Sequence, residues 1–78
     1  MKKNERKLIV TFYTSADAMA LEKKCKEYDI PGRLIPVPRT VSSGCGISWC
    51  ANPNEKETLI NILNKSEIEY ESICEIMY

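Results

Sequence analysis

Two amphipathic stretches, each with its own start signal, constrain what this 78-residue chain can fold into. Thr14 and Asp17, three residues apart, form a capping pair ahead of the first. Ala18, Leu21, Cys25 and Tyr28 then follow a three-four-three spacing, which makes one apolar stripe along a helix. Glu22, Lys23, Lys24, Lys26 and Glu27 fill its other faces, and Pro31-Gly32 stops it. The second stretch opens with Asn52 as cap, Pro53 at the first helical position and Glu55 completing a capping box. It carries Leu59, Ile62 and Leu63 as its stripe and runs to about Lys65.

The segments around these helices read as strands. Lys7 to Phe12 is short, β-branched and apolar, as a strand buried on both sides would be. Arg33 to Val37 is a second strand, and Pro36 and Pro38 confine it to an edge because neither has an amide proton. A loop over Thr40 to Gly46 leads into a third strand, Ile47 to Ala51. Alternation puts Ile47, Trp49 and Ala51 on one face and Ser48 and Cys50 on the other. Ser66 to Ile68 turns the chain into a last strand near Glu69 to Met77. There Glu67, Glu69, Glu71 and Glu75 read as a solvated edge that discourages aggregation, and Cys74 is expected to face in with Tyr70, Ser72 and Ile76. The order strand, helix, strand, strand, helix, strand predicts an α+β ferredoxin-like plait. Its four-stranded antiparallel sheet would carry both helices on one face and leave the other open. With no repeat or linker, one small domain over residues 1–78 is expected, residues 1–6 being a frayed basic start.

Composition then removes function classes. Eleven basic residues balance eleven acidic ones, so no overall field recruits nucleic acid or an anionic membrane. The apolar run Leu8 to Tyr13 is too short for a signal peptide, and no stretch has the length of a membrane span, so a cytoplasmic location is expected. In a reducing compartment the cysteines at 25, 45, 50 and 74 should be free rather than a disulfide scaffold. There is no C-x-x-C pair and no histidine. A nucleophile activated by histidine is therefore excluded, and no metal site is expected from cysteines spread over separate elements.

Chemistry concentrates in one stretch, Pro36 to Trp49, which reads PVPRTVSSGCGISW. Gly44 and Gly46 flank Cys45, leaving its thiol sterically open, and Ser42 and Ser43 stand just before. Successive N–H groups in such a turn can form an anion nest, and Arg39 adds positive charge if the loop folds back; both favour a thiolate. The same residues also read as a Ser/Gly-rich turn that happens to hold a cysteine, and chemistry alone leaves both readings standing. Cys25, on its helical stripe, reads as a small core residue.

Arg33-Leu34-Ile35-Pro36-Val37-Pro38-Arg39, followed by Ser42-Ser43-Gly44-Cys45-Gly46-Ile47, resembles a family of small bacterial selenium/sulfur carrier-like proteins over roughly residues 8–70. The resemblance implies a fold of the order given above and a carrier residue, which here can only be Cys45. In that reading Cys45 takes sulfane sulfur or selenium from a donor such as a cysteine desulfurase and passes it to an acceptor protein. Arg39, Ser42, Ser43, Gly44 and Gly46 support the loop, Cys50 is a secondary candidate thiol, and no cofactor is needed. An alternative is a non-catalytic interaction or small-ligand-binding regulatory module, docking a partner or a second copy through the open sheet face or the Trp49 region. A third reading makes Cys45 and Cys50 a redox pair, or half of a metal site shared between subunits of a homodimer.

Overall fold

The computed structural model describes residues 5–38, 41 and 46–77. Its elements are β1 (Arg6–Thr11), α1 (Ser15–Glu27), β2 (Arg33–Pro36), β3 (Ile47–Ala51), α2 (Lys56–Lys65) and β4 (Ser72–Met77). The strands form one antiparallel sheet in the order β2-β3-β1-β4, the expected plait. Leu8 and Val10 of β1, with Trp49 and Ala51 of β3, meet Ala18, Leu21 and Cys25 of α1 and Leu59, Ile62 and Leu63 of α2 in one core. Both helices therefore cover the same face. Among the described residues no helix is long and apolar enough to cross a membrane.

β1 is buried on both sides, as its short, β-branched apolar run predicts. Leu8 and Val10 face the helices while Ile9 and Thr11 face away, and all four are inaccessible. The helix-free face is less open than expected at its centre. Ile9, Ile35 and Cys50 form a second small cluster there, flanked by Cys74 and Ile76.

The helix starts differ. Thr14 caps α1 as expected: its hydroxyl oxygen accepts from the Asp17 N–H at 3.3 Å and its hydroxyl donates to the Asp17 carboxylate at 3.0 Å. Asn52, by contrast, makes no side-chain cap bond. Pro53 to Glu55 form a 3-10 turn instead, and α2 begins at Lys56. Pro53 fixes φ for that tighter turn, so the predicted box does not assemble.

The helix ends match each other. Asp29 and Glu67 both take left-handed φ, +59° and +56°. The following Ile30 and Ile68 donate back to the carbonyls of Cys25 and Leu63 at 2.8 and 2.9 Å, the Schellman arrangement. Both isoleucines pack on the core. α1 thus stops before Pro31-Gly32, and Tyr28 leaves the predicted stripe to stand 53% exposed at the helix end.

The last strand is shorter than predicted, because the chain bends through residues 69–71 and enters β4 only at Ser72. Side-chain parity does not carry across that bend. Tyr70 packs on the helix-side core, whereas Ser72, Cys74 and Ile76 lie on the opposite face beside Thr11, Ile9 and Lys7. Cys74 therefore faces away from the helices. β4 is an edge of the sheet as expected, but of the four glutamates only Glu75 lies on it, 3.7 Å from Arg6.

Candidate functional site

Of the residues that the sequence singles out, Arg39, Ser42, Ser43, Gly44 and Cys45 lie outside the described residues, while Gly46 and the root of the loop are described. Pro36 pairs with Ile47, and the next rung is the Val37 N–H donating to the Gly46 carbonyl at 3.1 Å. The Val41 N–H donates to the Pro38 carbonyl at 3.0 Å. Gly46, directly after Cys45, has φ +78°, and a Cβ there would meet none of the described residues within 4 Å. Glycine is required at that point by the backbone angle and not by crowding.

The loop is rooted at the sheet end where β1 finishes and α1 starts. A polar row crosses the helix-free face there, with Ser48, Thr11 and Ser72 side by side in register. The Thr11 and Ser72 hydroxyls lie 2.7 Å apart and share a hydrogen bond. Ser48 is inaccessible, and its hydroxyl has no hydrogen-bond partner among the described residues.

The remaining thiols occupy packed positions. Cys25 is 1% exposed in the helix-side core. Burial first, and the Glu55 carboxylate second, push its pKa from 9.0 up to about 11. It is a core residue, as its stripe position implies. Cys50 and Cys74 lie on the opposite face, on either side of Ile9 in register. Two strand spacings of ~4.8 Å put them roughly 10 Å apart, beyond disulfide reach. Cys25, Cys50 and Cys74 are free, and no group of three or more metal-ligating side chains occurs among the described residues. Trp49 is 2% exposed with its indole in the helix-side core, so its ring itself offers no exposed aromatic surface.

A family model described as "Putative Se/S carrier protein-like" matches residues 7–75, from the start of β1 into β4. The chain belongs to this family. No curated protein and no solved structure matches it.

This Se/S carrier-like chain has a concave feature at the sheet end away from the loop root. Lys7, Pro31, Gly32, Arg33, Cys50, Ala51 and Asn52 line a cavity of about 220 Å³. Arg33 stands directly opposite Cys50 across β2 and β3, and Ile9 opposes Cys50 across β1 and β3. Lys7, two residues before Ile9, shares that face, as does Asn52, two residues after Cys50. Sequence reading singles out only Cys50 of this set. Lys7, Arg33 and Asn52 come from three separate strand ends, and only the register brings them round one thiol.

Proposed function

We propose that the protein is a sulfur or selenium carrier in which Cys45 is the carrying thiol. The observation that carries this reading is the family match, which spans the whole β2–β3 connection that holds Cys45. Two features support Cys45 over the other thiols. Cys25 is locked in the core with a raised pKa, and Cys50 and Cys74 sit within the sheet. Gly46, next to Cys45, is exposed, and no described residue comes within 4 Å of where a Cβ would stand there.

In the transfer, the Cys45 thiolate attacks the outer sulfur of a donor persulfide. The S–S bond of the donor breaks, its thiolate leaves and takes up the proton, and Cys45 becomes a persulfide with no net oxidation. Attack by an acceptor on that outer atom reverses the roles, and selenium follows the same course. Arg39 and the hydroxyls of Ser42 and Ser43 hold the anionic persulfide. A cysteine desulfurase serves as donor and a second protein as acceptor.

Intact mass after incubation with a cysteine desulfurase and labelled cysteine tests the proposal. The expected result is a gain of one sulfur, reversed by dithiothreitol and absent in Cys45→Ser, whose urea midpoint matches the wild type. Persistence of the gain in Cys45→Ser would move the carrier role to another thiol.

A further inference from the structure

We propose that the cavity between Lys7, Arg33 and Asn52 is a binding site for a small divalent tetrahedral oxyanion, the class to which sulfate, thiosulfate and hydrogen phosphate belong. The inference goes beyond the carrier reading and does not depend on Cys45. The sheet register fixes the arrangement. Arg33 and Cys50 are direct cross-strand partners, which puts their Cβ atoms about 5 Å apart, and Lys7 is a diagonal neighbour of Cys50 roughly 7–8 Å away. β1 and β2 flank β3, so the two cationic residues stand on opposite sides of Cys50, and all three line the cavity. The guanidinium offers a fork of N–H groups and the ammonium a point charge, a pairing suited to an anion with several oxygens.

Two further observations favour a ligand over a solvated surface. Asn52, the residue that sequence places as a helix cap, makes no cap bond and instead lines the cavity, leaving its amide N–H groups available. Arg33 has no ion pair among the described residues, although the chain carries as many acidic residues as basic ones. Lys7 is paired, with the Glu5 carboxylate 3.3 Å from its ammonium. Glu5 is 68% exposed, so it can swing into solvent when an anion enters. Cys50 is 6% exposed and forms part of the wall between the two cations. At about 220 Å³ the cavity is several times the ~30 Å³ that one water occupies in the liquid, enough for a five-atom oxyanion with residual water.

Titration of the full chain with sodium thiosulfate and, separately, sodium sulfate, at ionic strength held constant with chloride, tests the site by ¹H–¹⁵N NMR. The expected result is a saturable shift of the Lys7, Arg33, Cys50 and Asn52 amides with a roughly millimolar dissociation constant. Arg33→Gln and Lys7→Gln should each weaken binding about tenfold, the change expected from losing one charge-assisted contact. Glu5→Gln should tighten binding several-fold, and Cys45→Ser should leave it unchanged. A fingerprint superimposable on the wild type confirms that each variant is folded. Shifts that fail to saturate, shifts spread equally over Lys23, Lys24, Lys26 and Lys65, or unaltered affinity in Arg33→Gln would overturn the proposal. Equal binding of acetate would overturn the divalent assignment.

Discussion

Replacing Gly32 by alanine should cost this domain a large share of its stability. Gly32 has φ +148°, a region that residues with a Cβ rarely adopt. An added Cβ would lie 2.6 Å from Cζ2 and 2.7 Å from Cε2 and Nε1 of Trp49. Carbon atoms settle about 3.5–4.0 Å apart, so the overlap is about an ångström against a ring. Trp49 is 2% exposed and packed between the helices and the sheet, so the ring has nowhere to retreat. Overpacking of this kind costs about 1–3 kcal/mol and the backbone strain about 1–3 more, together roughly 2–6 kcal/mol. A domain of 78 residues has a stability of ~4–12 kcal/mol at ~0.05–0.15 kcal/mol per residue, so the variant should lose about half of it. Equilibrium urea unfolding is the assay, followed by far-UV circular dichroism and by the fluorescence of Trp49, the chain's single tryptophan. With a slope of about 1 kcal/mol per molar, the midpoint should fall by at least ~2 M. A polar substitution of the neighbouring, exposed Arg33 should stay within ~0.5 kcal/mol of the wild type. A Gly32→Ala midpoint within ~0.5 M of the wild type, with unaltered Trp49 emission, would refute the reasoning.

Two further expectations follow from the helix ends and the core. Cys25 is protonated in the fold up to about pH 11 but titrates near 9.0 once exposed, so the unfolded chain binds fewer protons between those values. Stability should be intact below pH 9 and decline by up to about 2–3 kcal/mol towards pH 11, and urea midpoints across that range should show a shallower decline in Cys25→Ala. Glu67→Gly should raise stability by ~0.5–1 kcal/mol by relieving a left-handed residue with a Cβ, and Asp29→Gly by less, since a short Asp side chain tolerates that region. Loss of stability in Glu67→Gly, measured by the same urea assay, would show that its side chain does more than occupy a turn.

The plait is legible because burial writes its period into the chain. Leu21 and Cys25, Leu59 and Leu63, and the run Leu8 to Phe12 are where the core needs them, and their spacing follows from helix and strand geometry. Failures occur where the backbone departs from those periods. Asp29 and Glu67 end their helices in a left-handed turn that favours glycine, so neither residue type announces it. The bend before Ser72 resets side-chain parity, which sends Cys74 to the face opposite the one predicted. The cavity round Cys50 has no local signature, because Lys7 and Arg33 become its neighbours only through long-range register. Cys45 stands out from its glycine flanks alone, a signal of composition that requires no tertiary knowledge.

The strand order also decides when the Cys45 connection comes into being. Each βαβ half of the chain contributes its first strand, β1 or β3, to the middle of the sheet and its second to an edge. The strands of one half never touch each other. β1 finds partners only in β3 and β4, and its Thr11 meets Ser72 from 61 positions away in sequence. Such distant closures make assembly slow and all-or-none, because the chain's entropy is lost before the ladders compensate for it. β2 and β3 are neighbours in sequence, but their short hairpin is marginal in water without β1 alongside. The rung from Val37 to Gly46 that roots the β2–β3 connection is therefore secured only when the whole molecule has closed. A nascent or damaged chain carries the same Gly-Cys-Gly tripeptide, yet lacks the rung that closes beside it.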